Sequence, residues 1–272
     1  MDLASTFDVS GKAVIVTGGA SGIGLAIAEV LAEHRAKVMI LDISADEGQK
    51  QTERLRAGGG EVSALPLDVA DRDAVDRTFD EAAELLGGLD VVFANAGIDP
   101  GSSVLGPDGS RYPAGALENY DDRAWDRVID ISLGGVFACT RAAARHMKPR
   151  NAGRIVITTS VSSVRAFPIG IAYSAAKAGA AHFMRNAALE LARYNILVNA
   201  IAPGPFVTNI GDGLVRQPEV QQAMAGMIPL GRVGNVEEIK PLALFLASSA
   251  SSFMTGAEIF LDGGLSLGPP IP

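Results

Sequence analysis

A phenol and an ammonium group stand four residues apart in the alanine-rich stretch YSAAK, at Tyr173 and Lys177. In a helix this spacing places both side chains on one face. A free tyrosine has a pKa of about 10, which is too high for a base at neutral pH. The positive charge of a neighbouring lysine favours the phenolate and should lower the pKa of Tyr173 towards the operating pH. The pair is therefore a candidate for acid/base catalysis, and the alternative is an exposed helix face on which the two residues meet incidentally.

The segment TGGASGIG, residues 17–24, suits the binding of a phosphate group. Gly18 permits a turn with positive φ, Gly22 lets the backbone approach a pyrophosphate, and Gly24 lets the next helix lie close to the strand. The helix that begins near Ile23 presents unpaired N–H groups and a positive dipole end. The spacing differs from the GxGxxG fingerprint, and an ordinary strand–helix turn can also be rich in glycine. Its position after the first predicted strand nevertheless predicts dinucleotide binding.

Asp42 ends the second predicted strand, eighteen residues after Gly24. A carboxylate there can accept hydrogen bonds from both ribose hydroxyls of an adenosine. It would repel a 2′-phosphate by a few kcal/mol at ~4 Å in an intermediate dielectric. Neither Ser21 nor Ile43 offers a cation for such a phosphate, so the sequence favours NAD over NADP. The alternative role of Asp42 is a helix N-cap, for which Ser44 is better placed.

These candidates need a scaffold in which strands alternate with helices. Short β-branched runs predict strands at residues 12–17, 37–41, 61–67, 89–94, 153–159, 196–202 and 257–262. Helical patterns lie between them, at residues 23–34, 45–57, 71–87, 122–146 and 173–193. Strands that are apolar on both faces and alternate with helices indicate a parallel sheet covered on both sides. We therefore predict an α/β fold: one Rossmann-like domain over residues 1–272, with a doubly wound parallel sheet of about seven strands.

Two irregular segments interrupt this alternation. Residues 98–120 are rich in Gly, Pro, Ser and Asp, and residues 204–235 mix Gly and Pro with a short helical pattern. Both follow predicted strands at the carboxyl ends, where open parallel sheets bind ligands. Long irregular segments in a compact domain are usually lids or binding loops. We predict that residues 98–120 shape the pocket or an oligomer contact, and that residues 205–235 form a substrate lid.

Composition narrows the classes of partner. The chain has 272 residues, 48% of them hydrophobic, and a net charge of −8. An acidic balance argues against nucleic acid and anionic membranes, which demand clustered Lys and Arg. The single cysteine, Cys139, lies in an apolar stretch, which predicts a buried thiol and a reducing compartment. Neither a signal peptide nor a run of ~20 apolar residues is evident, so a cytoplasmic location is predicted. The three histidines are scattered over predicted helices, and no metal site is predicted.

Three motifs together resemble the short-chain dehydrogenase/reductase family. They are TGxxxGIG at 17–24, NAG at 95–97 and YxxxK at 173–177, and the resemblance extends from Gly11 to Gly264. Each motif alone is weak, but their order and spacing are typical of the family. The resemblance implies a nicotinamide dinucleotide cofactor and, as in most members, a homotetramer that pairs the helices near 122–147 and 173–193.

The resemblance also implies which residues surround the cofactor. Asp68 and Val69 would flank the adenine, while Thr208 and the backbone after Pro203 would hold the nicotinamide amide. For Asn95, a role in tying neighbouring strands together is as well supported as a cofactor contact. The predicted cofactor-binding residues are Gly18, Ser21, Gly22, Ile23, Gly24, Asp42, Ile43, Asp68, Val69, Asn95, Ala96, Gly97, Tyr173, Lys177, Pro203, Gly204, Phe206 and Thr208.

The family's serine precedes its tyrosine by thirteen residues, which selects Ser160 as the residue that fixes the substrate oxygen. Ser162 could line the same pocket, and Phe167 and Phe206 would suit an apolar or cyclic substrate. Mutual contacts within the loops explain these three residues equally well.

Ser132 is a departure from the family pattern. Many members carry an asparagine at this place, which is thought to support a water chain that returns protons to the lysine. Serine could keep that relay, because it too can bend a helix by bonding back to it. The alternative is an impaired relay.

The leading hypothesis is an NAD-dependent oxidoreductase that interconverts a secondary alcohol and a ketone. The alcohol would lie between Ser160 and Tyr173, and Tyr173 would take the hydroxyl proton while hydride passes to NAD. Its partners would be a small-molecule alcohol or ketone and further copies of this chain. The rival hypotheses are an NADP-dependent 3-oxoacyl-type reductase and a catalytically silent dinucleotide-binding protein.

Overall fold

The computed structural model describes residues 3–99, 116–167, 170–208 and 210–270 of the chain. Within these ranges, parallel strands form a seven-stranded sheet in the order β3-β2-β1-β4-β5-β6-β7. The strands are β1 (Ala13–Thr17), β2 (Lys37–Asp42), β3 (Glu61–Pro66), β4 (Val91–Ala94), β5 (Gly153–Thr158), β6 (Ile196–Pro203) and β7 (Glu258–Leu261). The predicted doubly wound parallel sheet is confirmed, and each strand overlaps its predicted range.

Helices connect the strands and cover the sheet. They are α1 (Leu3–Thr6), α2 (Gly22–Glu33), α3 (Ala45–Ala57), α4 (Arg72–Leu86), α5 (Asp122–Ile129), α6 (Gly135–Met147), α7 (Ile171–Leu191), α8 (Pro218–Ala225) and α9 (Lys240–Ala247). The predicted helix at 122–146 is divided, because the π-helical segment Asp130–Gly134 joins α5 to α6. The sequence analysis missed α9, whose run of apolar residues shows no clear helical period.

Both faces of the sheet are buried, as a parallel sheet requires. Along β1, Ile15 packs into a core with α4, α6 and α7, whereas Val14 and Val16 pack into a second core with α2 and α9. All three side chains are fully buried. The apolar strands therefore reflect two cores, one on each side of a single sheet.

β1 and β4 are neighbours in the sheet, so the order of strands reverses between them. Open α/β sheets bind ligands at this switch point, beyond the carboxyl ends of the strands. The glycine-rich turn follows β1 at that edge, and the segment that holds Ser160 follows β5. The fold thus brings the two candidate sites of the sequence to one edge.

The two irregular segments differ in how much of them can be described. Most of the predicted loop at 98–120 lies outside the described residues. Phe206 pairs with Gly234 in a short parallel bridge, so the predicted lid at 205–235 is joined at its base. The turn Gly211–Arg216 and α8 lie between these two residues.

Candidate active site

Ser160 and Tyr173 meet beyond the end of β5. Ser160 precedes the 3-10 turn Val161–Ser163, and its hydroxyl accepts a hydrogen bond from Ser162 N at 3.1 Å. α7 starts after Gly170, which has a φ of 69°, and Tyr173 lies in the first turn of this helix. The Ser160 hydroxyl interacts with the phenol of Tyr173 and acts to lower its pKa. The two predicted residues therefore form one polar pair.

Lys177 lies one helical turn further on and is buried, with 2% of its surface exposed. Its Nζ donates to Thr158 O at 2.7 Å and lies 5.5 Å from the centroid of the Tyr173 ring. Burial lowers the pKa of Lys177 to about 8. The ammonium is thus anchored on the last carbonyl of β5, close to the phenol but not bonded to it.

The pKa of Tyr173 differs from the prediction made from the sequence. This pKa is raised to about 12: burial is the largest cause, the interaction with Ser160 opposes it, and the negative charge of Asp99 adds to the rise. The predicted lowering by Lys177 is wrong for the protein's own groups, because the loss of water around the phenolate has the largest effect on this pKa. A helical spacing indicates a shared face and says nothing about the depth of burial.

Ser132 is fully buried in the π-helical segment. Its hydroxyl accepts from Ile98 N at 3.1 Å and donates to Ile98 O at 3.2 Å. A helical irregularity is present at Ser132, but the serine bonds to the segment after β4 and not back to its own helix. A Cβ added to Gly97 would lie 3.2 Å from Lys177 Nζ and 3.4 Å from Ser132 Oγ. Gly97 therefore lets these two polar groups approach the same point.

Asn95 ties three strands together. Its Nδ2 donates to Thr17 O at 3.1 Å, and its Oδ1 accepts from Thr158 Oγ1 at 3.0 Å. Thr17 Oγ1 in turn accepts from the backbone N–H groups of Asn95 and Ala96, at 3.0 and 3.1 Å. Of the two roles considered for Asn95, the structure shows the strand-tying one, and a cofactor contact stays a prediction. The sequence analysis missed Thr17, which ends β1 immediately before the glycines.

The glycine-rich turn has the geometry that a pyrophosphate requires. Gly18 and Gly22 have positive φ values of 63° and 52°. A Cβ on Gly24 would overlap Gly18 O and lie 2.6 Å from Asn95 Nδ2. The N-cap Ser21 makes no side-chain cap bond to α2, so its first N–H groups have no side-chain cap. This chain's residues fit a phosphate-bearing group here.

Asp42 links the glycine-rich turn to the end of β2. Its Oδ2 accepts from Ala20 N and its Oδ1 from Ser44 N, both at 3.0 Å. Ser44, and not Asp42, caps α3 by accepting from Glu47 N at 3.3 Å, as predicted. The neighbouring Ile43 is 70% exposed. A fixed carboxylate and an exposed apolar side chain thus stand side by side at the end of β2.

Other predicted cofactor residues border the same edge. Asp68 is exposed, and its Oδ1 accepts from Ala70 N at 2.9 Å, while Val69 is buried against Gly135 of α6. Gly204 N donates to Leu261 O at 3.0 Å, directly after Pro203. Both pairs therefore lie at the carboxyl ends of their strands, after β3 and after β6.

Thr208 lies beside the glycine-rich turn, although 184 residues separate it from Gly24 in the chain. It is buried, and a Cβ on Gly22 would lie 3.5 Å from Thr208 Cβ. Ile23, which follows Gly22 in α2, packs against the core that α2 and α9 form on one side of the sheet. The start of the predicted lid therefore contacts the predicted pyrophosphate site.

The three predicted substrate residues are buried or partly buried. Phe206 is only 6% exposed, and its ring packs into the core, where a Cβ on Gly234 would lie 2.6 Å from Phe206 Cε1. The ring therefore faces the core beside the Phe206–Gly234 bridge, and its contact with substrate stays a prediction. Phe167 is partly buried against Val161 and Leu265. Ser162 is partly buried, and its contact with substrate stays a prediction.

Asp99 was not singled out from the sequence. Its charge raises the pKa of Tyr120, after the larger effect of burial, and also that of Tyr173. A Cβ on Gly170 would lie 3.9 Å from Asp99 Oδ1. Its place two residues after the NAG motif, at the carboxyl end of β4, was the available signal.

The sequence also led to predictions about metal sites, membrane-spanning helices and the thiol of Cys139. In the described ranges, no cluster of three or more His, Cys, Asp or Glu side chains is arranged to hold a metal ion. No helix of the described residues is both long and apolar enough to cross a membrane. Cys139 is buried, as predicted, and burial raises its pKa to about 12.

Known proteins are similar to this chain over nearly its whole length. The sequence model of a family described as enoyl-(acyl carrier protein) reductase matches residues 18–266. The chain is 41% identical over 254 residues to cis-4-hydroxycyclohexanecarboxylate dehydrogenase of Sinomonas cyclohexanicum, covering 93% of this chain and 96% of that enzyme. It is 36% identical over 264 residues to 3β-hydroxysteroid dehydrogenase 1 of Eggerthella lenta, covering 96% of each. A solved gluconate 5-dehydrogenase from Burkholderia cenocepacia, in complex with NADP and tartrate, is similar with a TM-score of 0.88 at 32% identity, covering 98% of this chain and 99% of that one.

A Rossmann-like sheet with a glycine-rich turn at its switch point defines a class of dinucleotide-binding proteins. Within that class, the chain belongs to the short-chain dehydrogenase/reductase family, whose members bind a nicotinamide dinucleotide. The relatives named above are oxidoreductases that act on CH–OH groups.

Proposed function

We propose that this protein interconverts a ring-borne secondary alcohol and its ketone with NAD, and that Tyr173 is the acid/base residue. The observation that carries the proposal is the interaction of the Ser160 hydroxyl with the Tyr173 phenol, with the buried Lys177 ammonium 5.5 Å from the centroid of the phenol ring. Two relatives act on ring alcohols by their names, one on a hydroxycyclohexanecarboxylate and one on a hydroxysteroid. These names support the substrate class for this chain.

The chain's own residues would hold the cofactor along the switch-point edge. The N–H groups at the start of α2 suit the pyrophosphate, and Asp42 suits the ribose hydroxyls of the adenosine. Lys177 would hold a ribose hydroxyl near Tyr173, and Thr208 would hold the carboxamide. The bound NAD supplies the hydride acceptor and, when oxidised, a positive charge beside the phenol.

Asp42 supports NAD over NADP. Both of its oxygens are held by backbone N–H groups, so the carboxylate cannot easily turn away from a ligand. A 2′-phosphate at ~4 Å would be repelled by about 4 kcal/mol in an intermediate dielectric. The rival is an NADP-dependent reductase of the 3-oxoacyl type, and the NADP in the gluconate 5-dehydrogenase structure is the observation in its favour.

The proton step belongs to Tyr173. With its pKa at about 12, the phenol is protonated at neutral pH and can donate to a ketone oxygen. In the other direction the phenolate must accept the alcohol proton, and the interaction with Ser160 favours the phenolate that does so. The same Ser160 hydroxyl is placed to fix the substrate oxygen. If the protein bound a dinucleotide without catalysing a reaction, the pair of Ser160 and Tyr173 would have no role.

The test is a panel of ring and open-chain secondary alcohols, assayed with NAD and with NADP. We expect turnover of ring alcohols with NAD, and a fall of at least about a thousandfold in kcat for Tyr173→Phe, since the proton-transfer group is lost. Tyr194→Phe is the matched control, because Tyr194 ends the same helical segment and stacks with Lys148. The proposal fails if no alcohol or ketone in the panel reacts, or if Tyr173→Phe keeps full activity. Tighter binding of NADPH than of NADH would favour the reductase rival.

A further inference from the structure

Glu258 is a buried acidic residue to which nothing so far assigns a role. It begins β7, an edge strand of the sheet, and only 3% of its side chain is exposed. A buried carboxylate costs free energy unless it is paired and fully hydrogen-bonded. An apolar side chain would stabilise this position at least as well. The role of the carboxylate must therefore lie in the groups that it contacts.

Those contacts surround Ser160. Glu258 Oε1 accepts from Ser163 Oγ at 2.6 Å and lies 3.0 Å from Thr159 Oγ1, which shares its proton with Ile201 O at 3.1 Å. Thr159 comes immediately before Ser160, and Ser163 closes the turn that follows it. The carboxylate therefore holds both ends of the five-residue segment 159–163, which contains Ser160 and the turn that follows it.

The second carboxylate oxygen reaches the helix that carries the other two site residues. Glu258 Oε2 pairs with Arg185 Nη2 at 2.8 Å, and Arg185 lies on α7, two turns beyond Lys177. One side chain on β7 thus connects the Ser160 segment to the helix of Tyr173. Because Ser160 and Tyr173 must stay within hydrogen-bond distance of one another, a common anchor behind them limits their relative movement.

We propose that Glu258 is a positioning residue, which sets the distance and angle between Ser160 and Tyr173 through Thr159, Ser163 and Arg185. The inference rests on the proposed function, because it assigns Glu258 to the alignment of the proposed catalytic pair. Glu258 itself does not touch substrate. It acts through the hydroxyls of Thr159 and Ser163 and through its ion pair with Arg185.

The main variant is Glu258→Gln, which keeps the size of the side chain and removes its charge. The matched control is Glu61→Gln, because Glu61 begins β3, the opposite edge strand, and forms an exposed ion pair with Lys37 at 3.6 Å. We expect Glu258→Gln to lower kcat roughly tenfold and to leave the dissociation constant of NADH within about a factor of two, since misalignment affects the reaction and not cofactor binding. Glu61→Gln should change neither quantity.

A double-mutant cycle separates positioning from general stability. If Glu258 acts through Ser160, then Glu258→Gln should have almost no further effect on kcat in a Ser160→Ala background. Equal falls in both backgrounds would refute the inference, as would a lower melting temperature with unchanged kcat. Ser163→Ala removes a single bond to Glu258 and should lower kcat in the same direction, which keeps the test decisive if Glu258→Gln does not fold.

Amide hydrogen exchange supplies a readout that is independent of turnover. Ser162 N donates to Ser160 Oγ, and Ser163 N donates to Ser160 O at 2.9 Å. Glu258→Gln should accelerate exchange of these two amides, whereas Glu61→Gln should not. Unchanged exchange at both amides would overturn the positioning role even in an active enzyme. If wild type turns over no substrate, faster exchange still supports the anchor, while the proposed function alone fails.

Discussion

Tyr173 is held by contacts that suit a proton donor. Burial sets its pKa at about 12, and the charge of Asp99 adds to that effect. The ammonium of Lys177 is directed at Thr158 O and not at the phenol oxygen. The neutral phenol is therefore the stable form at neutral pH, and under the proposed function it can donate its proton to a ketone oxygen. Alcohol oxidation needs the phenolate, so its rate should rise with pH.

Asp99→Asn should move the pH profile of alcohol oxidation to lower pH. The carboxylate raises the pKa of Tyr173, so removing its charge lowers that pKa and makes the phenolate easier to form. Two charges a few Å apart interact by about 1 kcal/mol in water and by more where water is excluded, so we expect a gain of at least roughly fivefold in oxidation rate at fixed pH.

The measurement is kcat for oxidation and for reduction across a pH series. Asp126→Asn, an exposed position on α5, is the control and should leave both profiles in place. A profile of Asp99→Asn that moves to higher pH would contradict the assignment of Tyr173 as the titrating group.

At the scale of elements, the start of α2 shows how backbone geometry makes a binding site. The helix can begin directly under the glycine-rich turn because Gly24 carries no side chain against Gly18 O. Its first N–H groups remain without a side-chain cap. The same glycine pattern could be read from the sequence, since only glycine tolerates such proximity.

Gly24→Ala should destabilise the fold and weaken dinucleotide binding. The added Cβ would overlap Gly18 O, so the helix must move away from the strand, at a cost of roughly 3 kcal/mol. Gly48→Ala is the matched control in α3, where the nearest atom, Ala64 Cβ, lies at an ordinary 3.4 Å. That control should be neutral, or stabilising by roughly 0.5–1 kcal/mol, because alanine favours helix interiors.

Urea unfolding and NADH titration measure both effects. Equal free energies of unfolding for Gly24→Ala and Gly48→Ala would contradict the prediction, because α2 could then shift without loss of stability.

At the scale of the whole molecule, α6 and α7 form a surface that the single chain leaves open. A groove of about 300 Å³ lies between them, and Phe137 and Phe183 line it with ring centroids 5.9 Å apart. The guanidinium of Arg141 lies 5.6 Å from the centre of the Phe137 ring. These are the helices that the family resemblance pairs in a tetramer, and we propose the homotetramer for this chain.

Phe137→Glu should shift the assembly to smaller species. The side chain is 37% exposed in the single chain, and a carboxylate placed in an apolar contact between subunits would be buried without a partner. Light scattering after size exclusion should give four chain masses for wild type and fewer for Phe137→Glu. The control is Leu85→Glu on α4, where Leu85 is 63% exposed and lies outside the groove. A monomeric wild type would refute the assembly.

Local sequence patterns were sufficient to predict part of the candidate active site. The four-residue spacing of Tyr173 and Lys177 predicted their shared face, and the glycines of residues 17–24 predicted the turn. Long-range contacts were not predictable in the same way. Thr159 and Glu258 are 99 residues apart in the chain, and no local period connects them. The inward ring of Phe206 likewise depends on Gly234, to which it is joined only in the fold.

The sequence by itself determined which chemical groups the protein has and which strands and turns carry them, because strand periodicity, helix spacing and glycine conformations are local properties of the chain. The tertiary structure decided how those groups behave. It partly buried Tyr173 and raised its pKa, turned Ser132 towards Ile98, and placed a carboxylate from the last strand behind Ser160. These outcomes depend on desolvation and on contacts between distant segments, which exist only once the sheet has assembled.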